Sequence, residues 1–434
     1  MRPSIAIMAA GLGTRMKSST PKVLHKISGY SMLHHILKEA KKISDDIHVI
    51  LFHESENIKE ELNKKFAGLH FVIQDHINFP GTGGAIRGLK PKYNRLLVLS
   101  GDMPLLEAND MELLCKDKNF DIVMGTFVTK YPSGYGRVVV DSNLRVEKIV
   151  EEKDANEEEK KINVVNAGVY SFNTHFLNKM LPKLTNNNAQ KEYYITDLIA
   201  LANENGNSVK AVIVDEQTFM GVNSKVQLSQ AEAIMQNRIK TRLMKDGVIM
   251  RLPETIYIEA GVVVEGESFI ENGVALIGKT HIQNSRIKAH SIIESSTIVD
   301  SEVGPMAHIR PYSLIKGSKI GNFVEIKKST LTDVKASHLS YIGDAEIDRG
   351  TNIGCGVITC NYDGKEKHKT IIGKNVFVGS DTQFIAPVII EDDVIIASGT
   401  TVTKDIPKGS LAINREPLKI VKGFFYKFFN REKE

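Results

Sequence analysis

From about Val248 onward, aliphatic side chains recur at every sixth position. They run through Ile258, Val264, Ile270, Leu276 and Ile282, and again through Ile372, Val378, Phe384, Ile390, Ile396 and Val402. A helix with 3.6 residues per turn has no use for that period, and a single strand alternates every second residue. Period six belongs to hexapeptide β-solenoids, where each aliphatic points inward and successive coils stack into a triangular prism. The register is expected to break between about Ala336 and Ile342. A second break is expected around Asn361 to Lys369, where Gly364 and a charged run suggest a loop leaving the prism.

The first half follows a different rule. Up to about residue 223, short β-rich runs (Ser4 to Met8, His48 to Phe52, Leu96 to Leu99, Asp121 to Phe127) alternate with helical patterns such as Met32 to Lys42. That order predicts an α/β domain built on a mainly parallel sheet, with ligands bound beyond the strand C-termini, after Met8 and Leu99. Ser224 and Gln227 then form a capping-box start, and Leu228, Ala231, Met235, Ile239 and Leu243 keep helical spacing until Gly247. The expected organisation is an α/β domain over 1–225, a connecting helix over 226–246 and an all-β domain over 247–434.

Composition excludes several classes. With 42% hydrophobic and 25% charged residues, and 56 Lys+Arg against 52 Asp+Glu, the chain is an ordinary globular one. A net charge of +4 is too thin to make nucleic acid a partner. The three cysteines, Cys115, Cys355 and Cys360, have neither disulfide-framework nor zinc spacing, which fits a reducing compartment. The apolar start, Ile5 to Ala10, meets Gly11 at once, too short for a signal peptide or a membrane span, so a cytoplasmic protein without a membrane partner is expected. The aromatic tail Phe424, Phe425, Tyr426, Phe428 and Phe429 is read as packing on its own or a neighbouring chain. The acidic run Asp154 to Glu159 is read as solvated surface.

Chemistry concentrates after the first strand. In Ala9-Ala10-Gly11-Leu12-Gly13-Thr14-Arg15 the glycines let backbone N–H groups approach phosphate oxygens, and Arg15 neutralises their charge. Met16 stands where a dinucleotide fingerprint needs a small residue, and no Gly-Lys-Ser/Thr follows, so neither usual phosphate motif applies. Lys22 adds a second cation. Asp102, after Ser100-Gly101, sits at a strand end suited to holding Mg²⁺ against phosphates. A glycine turn without a ligand and a helix-capping aspartate are the alternatives at these two places.

The run from Ala9 to Leu24 resembles sugar-1-phosphate nucleotidyltransferases. With the period-six half added, nearly the whole chain is similar to the bifunctional N-acetylglucosamine-1-phosphate uridyltransferases and glucosamine-1-phosphate N-acetyltransferases of bacterial cell-envelope synthesis. Gly134-Tyr135-Gly136-Arg137, Glu192 to Asp197, Gly221-Val222-Asn223, Arg310-Pro311, Asn322 to Lys327 and Thr359 to Gly364 carry that likeness.

The resemblance implies a Rossmann-like nucleotidyltransferase domain, a connecting helix and a left-handed parallel β-helix. It implies UTP, acetyl-CoA, glucosamine-1-phosphate and N-acetylglucosamine-1-phosphate as substrates, Mg²⁺ as cofactor, and a homotrimer. Met8, Ala9, Ala10, Gly11 and Lys22 would line the uridine nucleotide together with Ser100 and Gly101. Gln74, Gly81 and Thr82 would read uracil, and Gly136, Glu151 and Asn166 would hold the amino sugar. Asp102 and Asn223 would bind the metal, while Arg15 and Lys22 would be catalytic cations.

In the prism, the resemblance makes His338 the general base. Arg310, Lys327, Tyr341 and Asn352 would hold the sugar phosphate, and Cys355, Asn361, Tyr362, Ser380, Ser398 and Arg415 acetyl-CoA. The segment from Gln74 to Gly81 is about two residues longer than the family pattern. Leu12 replaces a Lys, Ser100 an aromatic and Ala167 a Thr, while Cys355 and Ser398 stand where alanine is common. Direct acetyl transfer is preferred over an acyl-cysteine intermediate. A single-activity nucleotidyltransferase with a noncatalytic oligomerising prism and a noncatalytic binding scaffold are the competing readings.

Overall fold

The computed structural model describes residues 2–11, 13–152, 154–188 and 190–432; Leu12 lies outside them. The chain divides into two compact units, Met1–Met235 and Gln236–Glu434. The helix Lys225–Lys245 runs across that division. In the first unit Ala231 is buried beside Ile27, Met32 and Leu105, and Glu232 accepts hydrogen bonds from Ser28 N and Oγ at 2.9 and 2.8 Å. In the second, Gln236 exchanges two hydrogen bonds with the Ile258 backbone, and Lys240 Nζ donates to Pro253 and Ile256 carbonyls.

The first unit is built on one twisted sheet. In spatial order its strands are Val209–Ile213, Ile122–Val128, Val164–Asn173, Arg95–Ser100, Ser4–Met8, Ile47–Leu51 and Leu69–Ile73. Val164–Asn173 is antiparallel to both neighbours, and the other pairings along this order are parallel. The antiparallel pair Arg137–Val140 and Val146–Val150 extends from it. Both faces are covered, which is why the central strands read as unbroken apolar runs. Ile5 and Ile7 enter one core with Leu33, Leu37 and Leu97, while Ala6 enters the other with Ile50, Val98 and Tyr170. The helix Met32–Ile43 starts where Ser31 Oγ accepts from His34 N, and buries Leu33, Ile36, Leu37 and Ala40.

The second unit is a prism of three parallel sheets, with ten, nine and eight strands among the described residues. Inward aliphatics keep the six-residue leg over Ile258 to Ile282 and over Ile372 to Val402, as the sequence pattern predicts. Between them some legs shorten to five residues, as from Ile282 to Ile287, Ile326 to Leu331 and Ile342 to Ile347. One residue in the left-handed region turns each of these corners. It stands two positions after the inward residue in these short legs (Asn284, Lys328, Asp344) and three after it in the long legs turned by His290, Phe323 and Leu339, while Gly266 and Gly278 stand two after it in other six-residue legs. Asn and Asp are the side-chain-bearing residues that enter this region most easily.

That rule corrects one expectation. Ala336 and Ile342 are both buried inward, six residues apart with Leu339 turning the corner, so the repeat passes His338 without a break. Only a small inward side chain at Ala336 disguises it. The second expected loop is present: Asn361–Lys369 leaves the prism between strands Ile358–Cys360 and Thr370–Ile372. Beneath the aliphatic column, buried hydroxyls stitch coil to coil, with Ser301 N on Ser285 Oγ, Ser318 N on Ser301 Oγ and Val334 N on Ser318 Oγ, all at 3.0 Å. The tail helix Phe424–Phe428 is exposed, its rings packed on one another. No helix of the described residues is long and apolar enough to cross a membrane.

Because Ile326 is fully buried in the inward column, Ile326→Ala should lower the unfolding free energy of the prism by about 2–5 kcal/mol, measured by chemical denaturation.

Candidate active sites

Met8 pairs with Ser100 across the two central parallel strands, so the loops that follow open side by side. Gly101 N donates to Met8 O at 2.8 Å. A Cβ at Gly101 would stand 2.9 Å from that same oxygen, an approach only glycine permits. The next residue, Asp102, is thereby aimed into a cavity of about 450 Å³.

The cavity gathers most of the residues singled out in the first unit. Met8, Ala9, Ala10, Gly11, Arg15, Lys22, Gln74, Gly81, Thr82, Ser100, Asp102 and Asn223 all line it. Its charged floor is a compact network. Lys22 Nζ donates to Asp102 Oδ2 and, at 2.9 Å, to Asn223 Oδ1. Arg15 Nη2 donates to the same Asn223 oxygen at 2.8 Å, and Ser100 Oγ donates to Asp102 Oδ1 at 2.7 Å. Val222 N on Asp102 O and Asn223 N on Gln227 Oε1, both at 2.8 Å, fix Asn223 against the strand ends. The Lys22 and Asp102 side chains are only 14% and 11% exposed, so their attraction is weakly screened.

The residues present suit a divalent cation. A carboxylate oxygen and an amide oxygen, both hard donors, converge on one point held by the Lys22 ammonium. Among the described residues no cluster of three or more His, Cys, Asp or Glu side chains forms a cage. A cation here would complete its shell from water and phosphate oxygens, as Mg²⁺ does readily.

Gly136, Glu151 and Asn166 do not line this cavity; they form their own cluster. Asn166 N donates to Gly136 O at 2.9 Å, and the Glu151 carboxylate would lie 3.4 Å from a Cβ on Gly136. Thr196 Oγ1 reaches Glu151 at 3.5 Å. Burial pushes the Glu151 carboxyl above the ordinary glutamate range, aided by the charges of Asp154 and Asp197, and burial raises Asp197 as well. Arg137, almost fully buried, pairs with Glu152 at 2.6 Å and holds the preceding turn by donating to Tyr135 O.

In the prism, Arg310, Lys327 and Tyr341 come from successive coils of one sheet, with Glu325 in register with Tyr341 and Lys327 with Gly343. Arg310 Nη1 donates to Glu325 Oε1 at 2.8 Å. The Lys367 ammonium, from the Asn361–Lys369 loop, lies beside Lys327 and pushes its pKa down. A Cβ on Gly343 would meet Tyr341 Oη at 2.5 Å and Asn361 Nδ2 at 2.8 Å, so glycine there lets the phenol fold over the strand. Asn361 is buried and donates to Asp344 Oδ2 at 2.5 Å.

His338 is exposed, in register with Asn322 of the preceding coil. Gly356 N donates to His338 O at 3.4 Å, and Asp381 N donates to Cys355 O and Gly399 N to Ser380 O, both at 2.8 Å. Arg415 Nη2 donates to Ser398 O at 3.2 Å. Cys355, Ser380 and Ser398 thus stack along one corner of successive coils, leading away from His338. Asn352 occupies the register position of Lys335 and Phe377 on the sheet ending in that corner.

Sequence reasoning missed several contributors. Gly13, Thr14, Val23, His76, Ala85 and Glu192 also line the first cavity. Gly13 and Thr14 were within the glycine loop, and Glu192 opened a matching stretch, but no pattern marked His76. Lys367 was visible only as part of a charged run.

Residues 5–224 match the nucleotidyl transferase family, and residues 369–404 match the bacterial transferase hexapeptide family, with six repeats. The chain is 62% identical over 433 residues to the bifunctional protein GlmU of a Nitratiruptor species, covering 99% of each chain. It is 59% identical to the same-named protein of Aliarcobacter butzleri, covering 100% of both. The chain belongs to the GlmU family. It is a bifunctional transferase, with a left-handed β-helix as its second unit, which sets aside the noncatalytic prism and the noncatalytic scaffold. A GlmU protein of Wolinella succinogenes is 56% identical across the full length of both chains.

A carboxyl whose folded pKa is raised binds its proton more tightly in the folded state, so its contribution to stability is lost as pH rises through that pKa. In this GlmU-family chain, Glu151→Gln should therefore gain stability over the parent above the raised Glu151 pKa and lose that advantage below the ordinary glutamate range. Urea denaturation of the first unit between pH 4 and 8 measures the crossover.

Proposed function

We propose that the chain makes UDP-N-acetylglucosamine in two steps. The second unit acetylates glucosamine-1-phosphate with acetyl-CoA, and the first transfers uridylyl from UTP to N-acetylglucosamine-1-phosphate, releasing pyrophosphate. The observation that carries this reading is that each unit has its own cation-lined cluster of different chemistry. One has paired oxygen donors beyond strand ends, and the other has an exposed imidazole at a prism corner.

In uridylyl transfer a phosphate oxygen of the sugar attacks the α-phosphorus of UTP. The bond from that phosphorus to the bridging oxygen breaks, and the electron pair leaves with pyrophosphate. Such chemistry requires positioning and charge neutralisation rather than a protein nucleophile. Lys22 neutralises the α-phosphate and Arg15 the leaving pyrophosphate, while Asp102 and Asn223 would hold Mg²⁺. When bound, that ion supplies further charge neutralisation across the phosphate oxygens. The backbone of Met8, Ala9, Ala10 and Gly11, with Ser100 and Gly101, borders the nucleotide. Gln74, Gly81 and Thr82 read the uracil, and Gly136, Glu151 and Asn166 hold the amino sugar.

In acetyl transfer, Arg310 and Lys327, joined by Lys367, hold the sugar phosphate through charge-assisted hydrogen bonds. Tyr341 and Asn352 contact the sugar ring. His338 takes a proton from the C2 amine as the nitrogen attacks the thioester carbonyl, and the C–S bond breaks to release CoA. The column Cys355, Ser380, Ser398 and Arg415 borders acetyl-CoA, with Asn361 and Tyr362 beside it. The enzyme works in the cytoplasm, and its prisms associate as a homotrimer, for which the exposed aromatic tail offers contact surface.

Asp102→Ala should reduce pyrophosphate release by at least about a hundredfold while leaving CoA release intact, and His338→Ala should do the reverse. Parallel assays with N-acetylglucosamine-1-phosphate and glucosamine-1-phosphate decide it; loss of both activities in either variant would contradict separate sites. Lys22 raises a second expectation, since its ammonium claims the same two oxygens as a divalent ion. Lys22→Gln should bind Mn²⁺ several-fold more tightly without nucleotide, by calorimetric titration, and weaker or unchanged binding would place the metal elsewhere.

A further inference from the structure

The uridylyl cavity contains a ring that nothing above gives a role. Among the described residues lining it, His76 is the single aromatic ring. The remaining walls are aliphatic side chains, glycines, hydroxyls, amides and charged groups, none of which offers a π-face to a nucleobase. Base–aromatic stacking is the standard way proteins hold a pyrimidine whatever its hydrogen-bonding edge.

The ring is supported from outside the cavity. Phe52 packs on His76 with centroids 4.7 Å apart and planes tilted by 39°. The two residues follow adjacent parallel strands, Ile47–Leu51 and Leu69–Ile73, at the ends where ligands bind in such sheets. The segment carrying His76 is braced at both ends. Asp75 accepts from Asn78 N at 3.0 Å, from Asn78 Nδ2 at 2.8 Å and, through its carbonyl, from Phe79 N at 2.9 Å. Arg87 lies 4.5 Å above the Phe79 ring and 4.8 Å above that of Tyr193.

Gln74 is oriented by the same segment. Its Nε2 donates to Phe79 O at 3.2 Å and to Gly81 O at 3.0 Å, which commits both amide hydrogens. Only Oε1, an acceptor, is then available to a ligand.

We propose that His76, on the braced segment Asp75–Pro80, is the stacking platform for the pyrimidine of the nucleotide substrate. This rests on the uridylyl-transfer reading. The test uses the full-length chain, with pyrophosphate release at varied UTP and calorimetric titration of UTP. His76→Ala should raise the UTP KM and Kd about tenfold, with a smaller change in kcat. His76→Phe, which keeps a ring, should restore both to within about threefold, whereas His76→Asn, which keeps only hydrogen bonding, should not. A parent-like KM in His76→Ala, or rescue by Asn and not by Phe, would overturn the platform. Absence of pyrophosphate release by the parent enzyme would instead overturn the uridylyl-transfer reading itself.

Discussion

Met8 pairs with Ser100, and the positions of Lys22, Asp102 and Asn223 follow from that parallel register. Parallel strands end on one side of a sheet, so residues far apart in the sequence enter one cavity without a long connecting loop. In the prism the same pairing acts along another axis. Each coil lies on the one before it, about 4.8 Å away, and corner residues superimpose as a column from His338 through Cys355 and Ser380 to Ser398. Constant register is demanding, because a slip by one residue would turn the inward aliphatics outward. Corners turned at Asn284 and Lys328 close five-residue legs and those at His290 and Phe323 six-residue ones, so both lengths occur without such a slip.

Architecture was largely legible because both units repeat their burial rule many times. The alternation of strands and helices announced a parallel sheet, and period six announced a prism. Five-residue legs were harder to see because two corner lengths break an exact repeat, and Ala336 hid a regular turn behind a small side chain. At the first site, Arg15, Lys22 and Asp102 were legible as charges attached to strand ends, and the structure brings all three to one cavity. His76 was not, since its place depends on how Phe52, Phe79 and Arg87 pack around a segment without periodicity. Lys367 was hidden for a similar reason: a hairpin-like bridge between Tyr362 and Lys367 and the capping of Glu366 N and Lys365 N by Asp363 set the loop's shape.

On the proposed function, the two anion sites pose opposite electrostatic problems. In the prism, Lys327 and Lys367 stand side by side, and their repulsion lowers the Lys327 pKa. On the proposed function a sugar phosphate between them would offset that repulsion, beside an Arg310 held by Glu325. In the first unit the cations are already satisfied. Lys22 donates to both Asp102 and Asn223, and Arg15 to Asn223. An incoming phosphate must draw Lys22 away from a carboxylate that is almost shielded from water, which would leave that carboxylate uncompensated. A phosphate arriving with a divalent cation would avoid this, because Asp102 and Asn223 could offer the ion the oxygens that Lys22 gives up. On the proposed function, Asp102 beside Lys22 would thereby make productive binding of the polyphosphate conditional on a second positive charge.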